Sequence, residues 1–123
     1  MKVGVIGCGF FAQNHLHAWR DIEGVDVVAL CDNDQSNLFA TSKEFKIRRQ
    51  FTDAVELFKY GQFDIVDIAT TAPSHRSLVE MAAQHTKHII CQKPFAESVK
   101  DARAMVGAVE ATGKTLMVHE NFR

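Results

Sequence analysis

The sequence predicts an α/β fold: a doubly wound parallel sheet of about six strands with helices on both faces. Three observations predict it. Short β-branched runs alternate with helical stretches along the chain. Two of these runs, Val27 to Cys31 (VVALC) and Ile65 to Ala69 (IVDIA), are almost continuously apolar, as strands buried on both faces are. A glycine turn, Gly7-Cys8-Gly9, joins the first run to the first helical stretch.

The elements follow in order. Lys2 to Ile6 reads as a strand and Phe11 to Ile22 as a helix. Val25 to Cys31 is the second strand, and Ser36 to Phe45 the second helix. Arg49 to Phe51 is a weak extended piece, and Asp53 to Tyr60 a short helix. Ile65 to Ala69 is a strand. Ser74 to Gln84 is a helix with Leu78, Val79 and Ala82 on one face and Ser74 as its cap. His88 to Cys91 is a strand. Val99 to Thr112 is the clearest helix, with an apolar face of Ala102, Met105, Val106 and Val109. Ser98 and Asp101 form a capping pair at its start, and Gly113 suits its C-terminal stop. Thr115 to Val118 closes the series. One domain over residues 1–123 accounts for this pattern, without internal repeat or linker.

Composition excludes several function classes. The 123 residues are 46% hydrophobic and 24% charged, enough for a core and too apolar for disorder. A net charge of −1 offers nucleic acid no basic field. No apolar run reaches the length of a membrane span, and the N-terminus does not read as a signal peptide. Cys8, Cys31 and Cys91 form no Cys-x-x-Cys pair, so neither a zinc site nor a disulfide framework is expected. They read as small buried hydrophobes in a reducing, cytoplasmic setting.

Gly7-Cys8-Gly9-Phe10-Phe11-Ala12 is a G-x-G-x-x-A turn between a strand and a helix, the Rossmann arrangement for a dinucleotide. Gly7 allows the tight turn. Gly9 lets the backbone approach a pyrophosphate, and Ala12 permits close packing of helix on strand. The helix N-terminus supplies free N–H groups to the phosphates. Phe10 and Phe11 fill the variable positions and count with the three small residues as cofactor-binding. Asp32 follows the second strand, where a carboxylate accepts hydrogen bonds from the adenosine ribose and repels the 2′-phosphate of NADP. NAD is therefore expected over NADP. Asp32 could instead only cap the next helix, and Arg48 or Arg49 could reach toward a 2′-phosphate.

Two further loops lie beyond strand carboxyl ends, where ligands bind in open α/β sheets. Thr70-Thr71-Ala72-Pro73-Ser74-His75 follows one strand, and Thr70, Thr71 and His75 are candidate cofactor contacts. The alternative for His75 is a solvated histidine at a helix start. Gln92-Lys93-Pro94 follows the next strand.

These segments, with Glu120-Asn121-Phe122-Arg123, carry a family likeness. The chain resembles the N-terminal domain of the glucose–fructose oxidoreductase / inositol dehydrogenase / MocA (Gfo/Idh/MocA) oxidoreductases over its whole length. Gln92-Lys93-Pro94 is similar to that family's Glu-Lys-Pro motif, and Asn121 to its Asn-x-Arg segment. The resemblance implies a two-domain NAD(P)-dependent dehydrogenase, homo-oligomeric when full-length, acting on a secondary alcohol of a sugar, polyol or related compound. It implies that Lys93 is catalytic, meeting the substrate hydroxyl near the nicotinamide, and that Gln92 and Asn121 contact the cofactor. It also implies that an X-Pro bond ahead of Pro94 aims Lys93 into the cleft. No metal is expected: His15, His17, His85, His88 and His119 show no ligand or triad spacing. Gln92 departs from the family's Glu, and the substrate domain lies outside this sequence. The alternative is a non-catalytic, NAD-sensing module.

Overall fold

A computed structural model describes residues 1–61 and 63–119. Among the described residues, eleven elements alternate strictly. The strands are β1 (Lys2–Ile6), β2 (Asp26–Cys31), β3 (Arg49–Phe51), β4 (Ile65–Ile68), β5 (His88–Gln92) and β6 (Thr115–His119). The helices are α1 (Phe10–Arg20), α2 (Gln35–Phe45), α3 (Ala54–Tyr60), α4 (Ala72–Ala82) and α5 (Val99–Thr112). The six strands form one sheet in the order β3-β2-β1-β4-β5-β6. Every pairing is parallel. This is the doubly wound order in which the chain reverses its winding between β1 and β4.

The winding puts a separate core on each face. Leu16 of α1 and Leu38 of α2 pack over Val3, Val5 and Leu30. On the other face, Leu57, Leu78, Met105 and Val109 of α3 to α5 cover Ile6, Val66, Ile68 and Ile89. β4 is buried at all four positions, which explains its near-continuous apolar reading. The sole polar residue of that strand, Asp67, is 1% exposed.

Helix starts follow the expected chemistry in three cases. Asp34 accepts the N–H of Asn37, Asp53 that of Val55, and Ser98 that of Asp101. α4 departs from expectation. Its N-cap is Thr71, not Ser74, and Pro73 lies in its first turn. Proline fits there because its missing N–H would have no helical partner. Ser74, now inside the helix, donates to Thr70 Oγ1 at 2.6 Å and lies 2.9 Å from the Thr71 carbonyl. Val106 also departs: expected on the buried face of α5, it is 40% exposed, and Met105 and Val109 carry the packing.

No helix among the described residues is long and apolar enough to cross a membrane. The three cysteines are free and buried. Burial, reinforced by nearby carboxylates, pushes each thiol up to about 12, so they behave as apolar groups.

Candidate functional site

The reversal of winding opens a crevice beyond the carboxyl ends of β1, β2 and β4, with a cavity of about 770 Å³. Gly7, Gly9, Phe10 and Phe11 line it from the first loop, Asp32 and Asn33 from the second, and Thr70 and Thr71 from the third.

The two loop glycines differ in what they do. Gly7 has φ +106°, and a Cβ there would meet the Ala69 backbone at 2.9 Å. Its N–H donates to the Cys31 carbonyl at 2.7 Å, tying the turn to β2. Gly7 is thus required by the fold itself. Gly9 is the N-cap of α1, with φ −82°, and a Cβ there would meet nothing within 4 Å. The chain's own packing does not need a glycine at 9, whereas a ligand approaching the backbone does. No side chain caps α1 and its first turn holds no acid, so its N–H groups and positive dipole end are unopposed. Ala12 is fully buried behind them. Phe10 and Phe11 are 80% and 56% exposed and meet edge to face at the cavity wall.

Asp32 does not cap α2; Asp34 does. Its carboxylate accepts the Cys8 N–H at 2.7 Å and the Asp34 N–H at 2.8 Å. Those bonds use two of about four lone-pair positions and hold the carboxylate at the cavity edge. Among the described residues, no Lys or Arg lines the cavity. Arg49 lies over the Tyr60 ring at 5.1 Å instead.

His75 is placed differently from its expectation as a cofactor contact. It is fully buried and does not line the cavity. Nε2 lies 2.8 Å from the Thr70 carbonyl, and Nδ1 lies 3.0 and 3.1 Å from those of Pro94 and Phe95. Entering the second turn of α4, the ring reaches inward and ties the loop after β4 to the loop after β5. Gln92 also departs. Its side chain is buried, and its Oε1 meets His15 Nε2 at 2.7 Å and His119 Nδ1 at 3.0 Å. Lys93 is exposed, its N–H donates to the His119 carbonyl, and the Lys93–Pro94 bond is cis. Asn121 lies outside the described residues.

Sequence reasoning missed the cluster beneath Lys93. His15 Nδ1 meets both Asp67 oxygens at 2.8 and 2.9 Å, and Trp19 Nε1–H donates to the same carboxylate at 2.8 Å. Asp67 in an apolar strand and His15 on a buried helix face were the available signals: an inward acid needs an inward partner. Burial by itself lowers the His15 pKa, but the Asp67 carboxylate and the Gln92 oxygen more than offset this and leave it raised. His119 is lowered, by burial first and by the His15 charge second. Among the described residues, no group of His, Cys, Asp or Glu is arranged to hold a metal.

The model of the oxidoreductase family with an NAD-binding Rossmann fold, Gfo/Idh/MocA, matches residues 1–120. The chain belongs to that family. A D-apiose dehydrogenase of Paraburkholderia graminis is 61% identical over 99% of this chain and 32% of its own length. One of Rhizobium rhizogenes is 54% identical over 100% of this chain and 36% of its own. The chain thus spans about a third of the length of the curated relatives it matches. Among solved structures, an oxidoreductase from Agrobacterium radiobacter in complex with NAD+, L-tartaric acid and magnesium superposes with a TM-score of 0.96. It is 54% identical and is matched over 100% of this chain and 36% of its own. The WlbA dehydrogenase from Bordetella pertussis, in complex with NADH and UDP-GlcNAcA, gives 0.91 at 27% identity, over 96% and 36%. Within the family, the expectations of a Rossmann sheet and an NAD-binding oxidoreductase domain hold.

Proposed function

We propose that residues 1–123 form the dinucleotide-binding domain of a longer, homo-oligomeric dehydrogenase acting on a secondary alcohol of a sugar or polyol. The observation that carries the cofactor reading is the open space beside Gly9: the loop leaves a backbone cradle that the chain's own packing does not fill. NAD(H) supplies the hydride chemistry when bound. The loop N–H groups and the start of α1 hold its pyrophosphate, and Gly7 keeps that loop in its turn. Asp32 takes the ribose hydroxyls and, with no Lys or Arg among the described lining residues, disfavours a 2′-phosphate. Thr70 and Thr71 bound the crevice opposite. Lys93 holds the substrate hydroxyl and shares its proton as the alcohol is oxidised. The D-apiose dehydrogenase activity of the relatives makes a branched or linear sugar the substrate class to try first.

Calorimetric titration of this chain with NAD+ and with NADP+ tests the reading. NAD+ should bind at least ~10-fold more tightly, a difference of about 1.4 kcal/mol. Asp32→Ser should narrow that gap. Equal affinities, or tighter NADP+ binding, would remove Asp32 from the ribose site.

A further inference from the structure

Among the described residues, His15–Asp67 is the ion pair with both side chains buried, at 5% and 2% exposed. It is built from three elements: His15 and Trp19 on α1, Asp67 on β4 and Gln92 on β5. The proton inventory is constrained. A carboxylate accepts only, so His15 Nδ1 carries a hydrogen. An amide oxygen also accepts only, so Nε2, 2.7 Å from Gln92 Oε1, carries one as well. His15 is then an imidazolium whose counterion is Asp67. His119 donates its Nδ1–H to the same amide oxygen at 3.0 Å, filling the second lone pair.

We propose that His15 is a positioning residue for the Gln92–Lys93 turn: as an imidazolium held by Asp67 it clamps the Gln92 amide oxygen, and loss of its proton turns that amide over at the root of Lys93. The chemistry of the turn is simple. When the Nε2 proton leaves for water, Nε2 presents a lone pair to the amide oxygen at hydrogen-bond distance, which is repulsive. Rotation of the amide by a half-turn brings its NH2 to Nε2 and restores the bond. His119 then moves its hydrogen from Nδ1 to Nε2 and accepts from the same NH2. Its neutral form is the favoured one, so this exchange needs no further proton.

The Gln at position 92 is what makes the arrangement two-sided. A carboxylate has two equivalent oxygens and reads the same either way round. An amide has a donor end and an acceptor end, so its orientation depends on the charge state of His15. The groups facing His15 are consistent with a switch above its ordinary value. Asp67 lies on one side and the neutral Gln92 oxygen on the other. The His119 ring is tilted by 51° with its centroid 4.4 Å away, Cys91 stays a neutral thiol near Asp67, and the Lys93 charge bears on His119. Burial opposes the imidazolium, and the Asp67 hydrogen bonds and charge outweigh it.

The consequence for turnover rests on the reading of Lys93 given above; the protonation and the amide orientation do not. The experiment is a pH titration of this chain by NMR, following histidine ring nitrogens, the Gln92 side-chain NH2 and the Lys93 backbone amide, without dinucleotide. Both His15 ring nitrogens should carry hydrogens at neutral pH. The Gln92 NH2 and Lys93 amide signals should move with the His15 midpoint. Gln92→Glu, which adds a second carboxylate against the ring, should raise that midpoint by about one unit or more. A His15 with one protonated nitrogen at neutral pH would overturn the proposal. So would Gln92 and Lys93 signals that ignore the His15 midpoint. Both results come from the unsubstituted chain, so a Gln92→Glu variant that fails to fold leaves the test intact. Loss of NAD+ binding would overturn the cofactor reading and leave these signals unchanged.

Discussion

Substituting the two loop glycines separately should divide fold from ligand binding. At Gly7, a side chain must adopt φ +106°, a conformation costing of order 1–3 kcal/mol for a non-glycine residue. Its Cβ also meets the Ala69 backbone at 2.9 Å, and relieving such overpacking costs a further ~1–3 kcal/mol. Gly7→Ala should therefore lose roughly 2–6 kcal/mol, which for a domain of this size is a fall in Tm on the order of 8–25 °C. At Gly9, φ is −82° and the added Cβ points into open space. Gly9→Val should cost about 1 kcal/mol or less, the price of a poorer N-cap. Its branched side chain would enter the space proposed for the pyrophosphate, so NAD+ affinity should fall ~100-fold or more, about 2.7 kcal/mol. Melting curves with and without NAD+ measure both effects: Gly7→Ala should melt early, and Gly9→Val should melt near the parent but gain nothing from ligand. A Gly9→Val chain that binds NAD+ as the parent does would refute the assignment of that space to the phosphates.

Three other outcomes follow from the same geometry. Asp67→Ala removes the counterion of a buried imidazolium and an acceptor from Trp19, and should cost about 3–5 kcal/mol in denaturant unfolding. The combined contribution of His15 and His119 to stability should be greatest near pH 6.5: the raised His15 contributes fully below 6.5 and loses that contribution as pH rises through its folded pKa, while the lowered His119 makes the native state the weaker proton binder as pH falls below 6.5. Thermal melts across that range in the parent and in His119→Phe check this, since only the acid limb should flatten in the variant. In the longer dehydrogenase proposed above, Lys93→Ala should lower kcat by ~10²–10⁴ while the NAD+ dissociation constant shifts only a few-fold. Lost NAD+ binding with kcat preserved at saturation would make Lys93 a cofactor clamp instead.

The fold was readable because its signals are local. A near-continuously apolar strand, an Asp or Ser at a helix start and a glycine after a helix each act within a few residues. The front of the site was readable for the same reason: Gly7 to Ala12 carries its geometry in adjacent positions, and Asp32 needs only to follow β2. The back of the site was not. His75 read as a cofactor contact at a helix start, but α4 begins at Ala72, which carries the His75 side chain to the inside. Gln92 looked like a ribose ligand, but its oxygen belongs to two histidines, 77 and 27 residues away in sequence. Side-chain pairs at such separations leave no periodicity, and only the sheet order brings them together.

The buried ion pair also sets a rule for recombining this domain. Asp67 lies 52 residues from His15, so an exchange point anywhere between α1 and β4 can give the two from different parents. A chimera that takes β1 to α1 from a relative lacking the histidine strands a carboxylate in the sheet, even when every apolar contact is matched. Splicing β5 from a relative with Glu at 92 adds an anion against the same ring. Shuffled libraries should therefore show linked survival at 15, 67 and 92, while a segment within 35–60 should exchange freely when the chain on both sides of it comes from one parent.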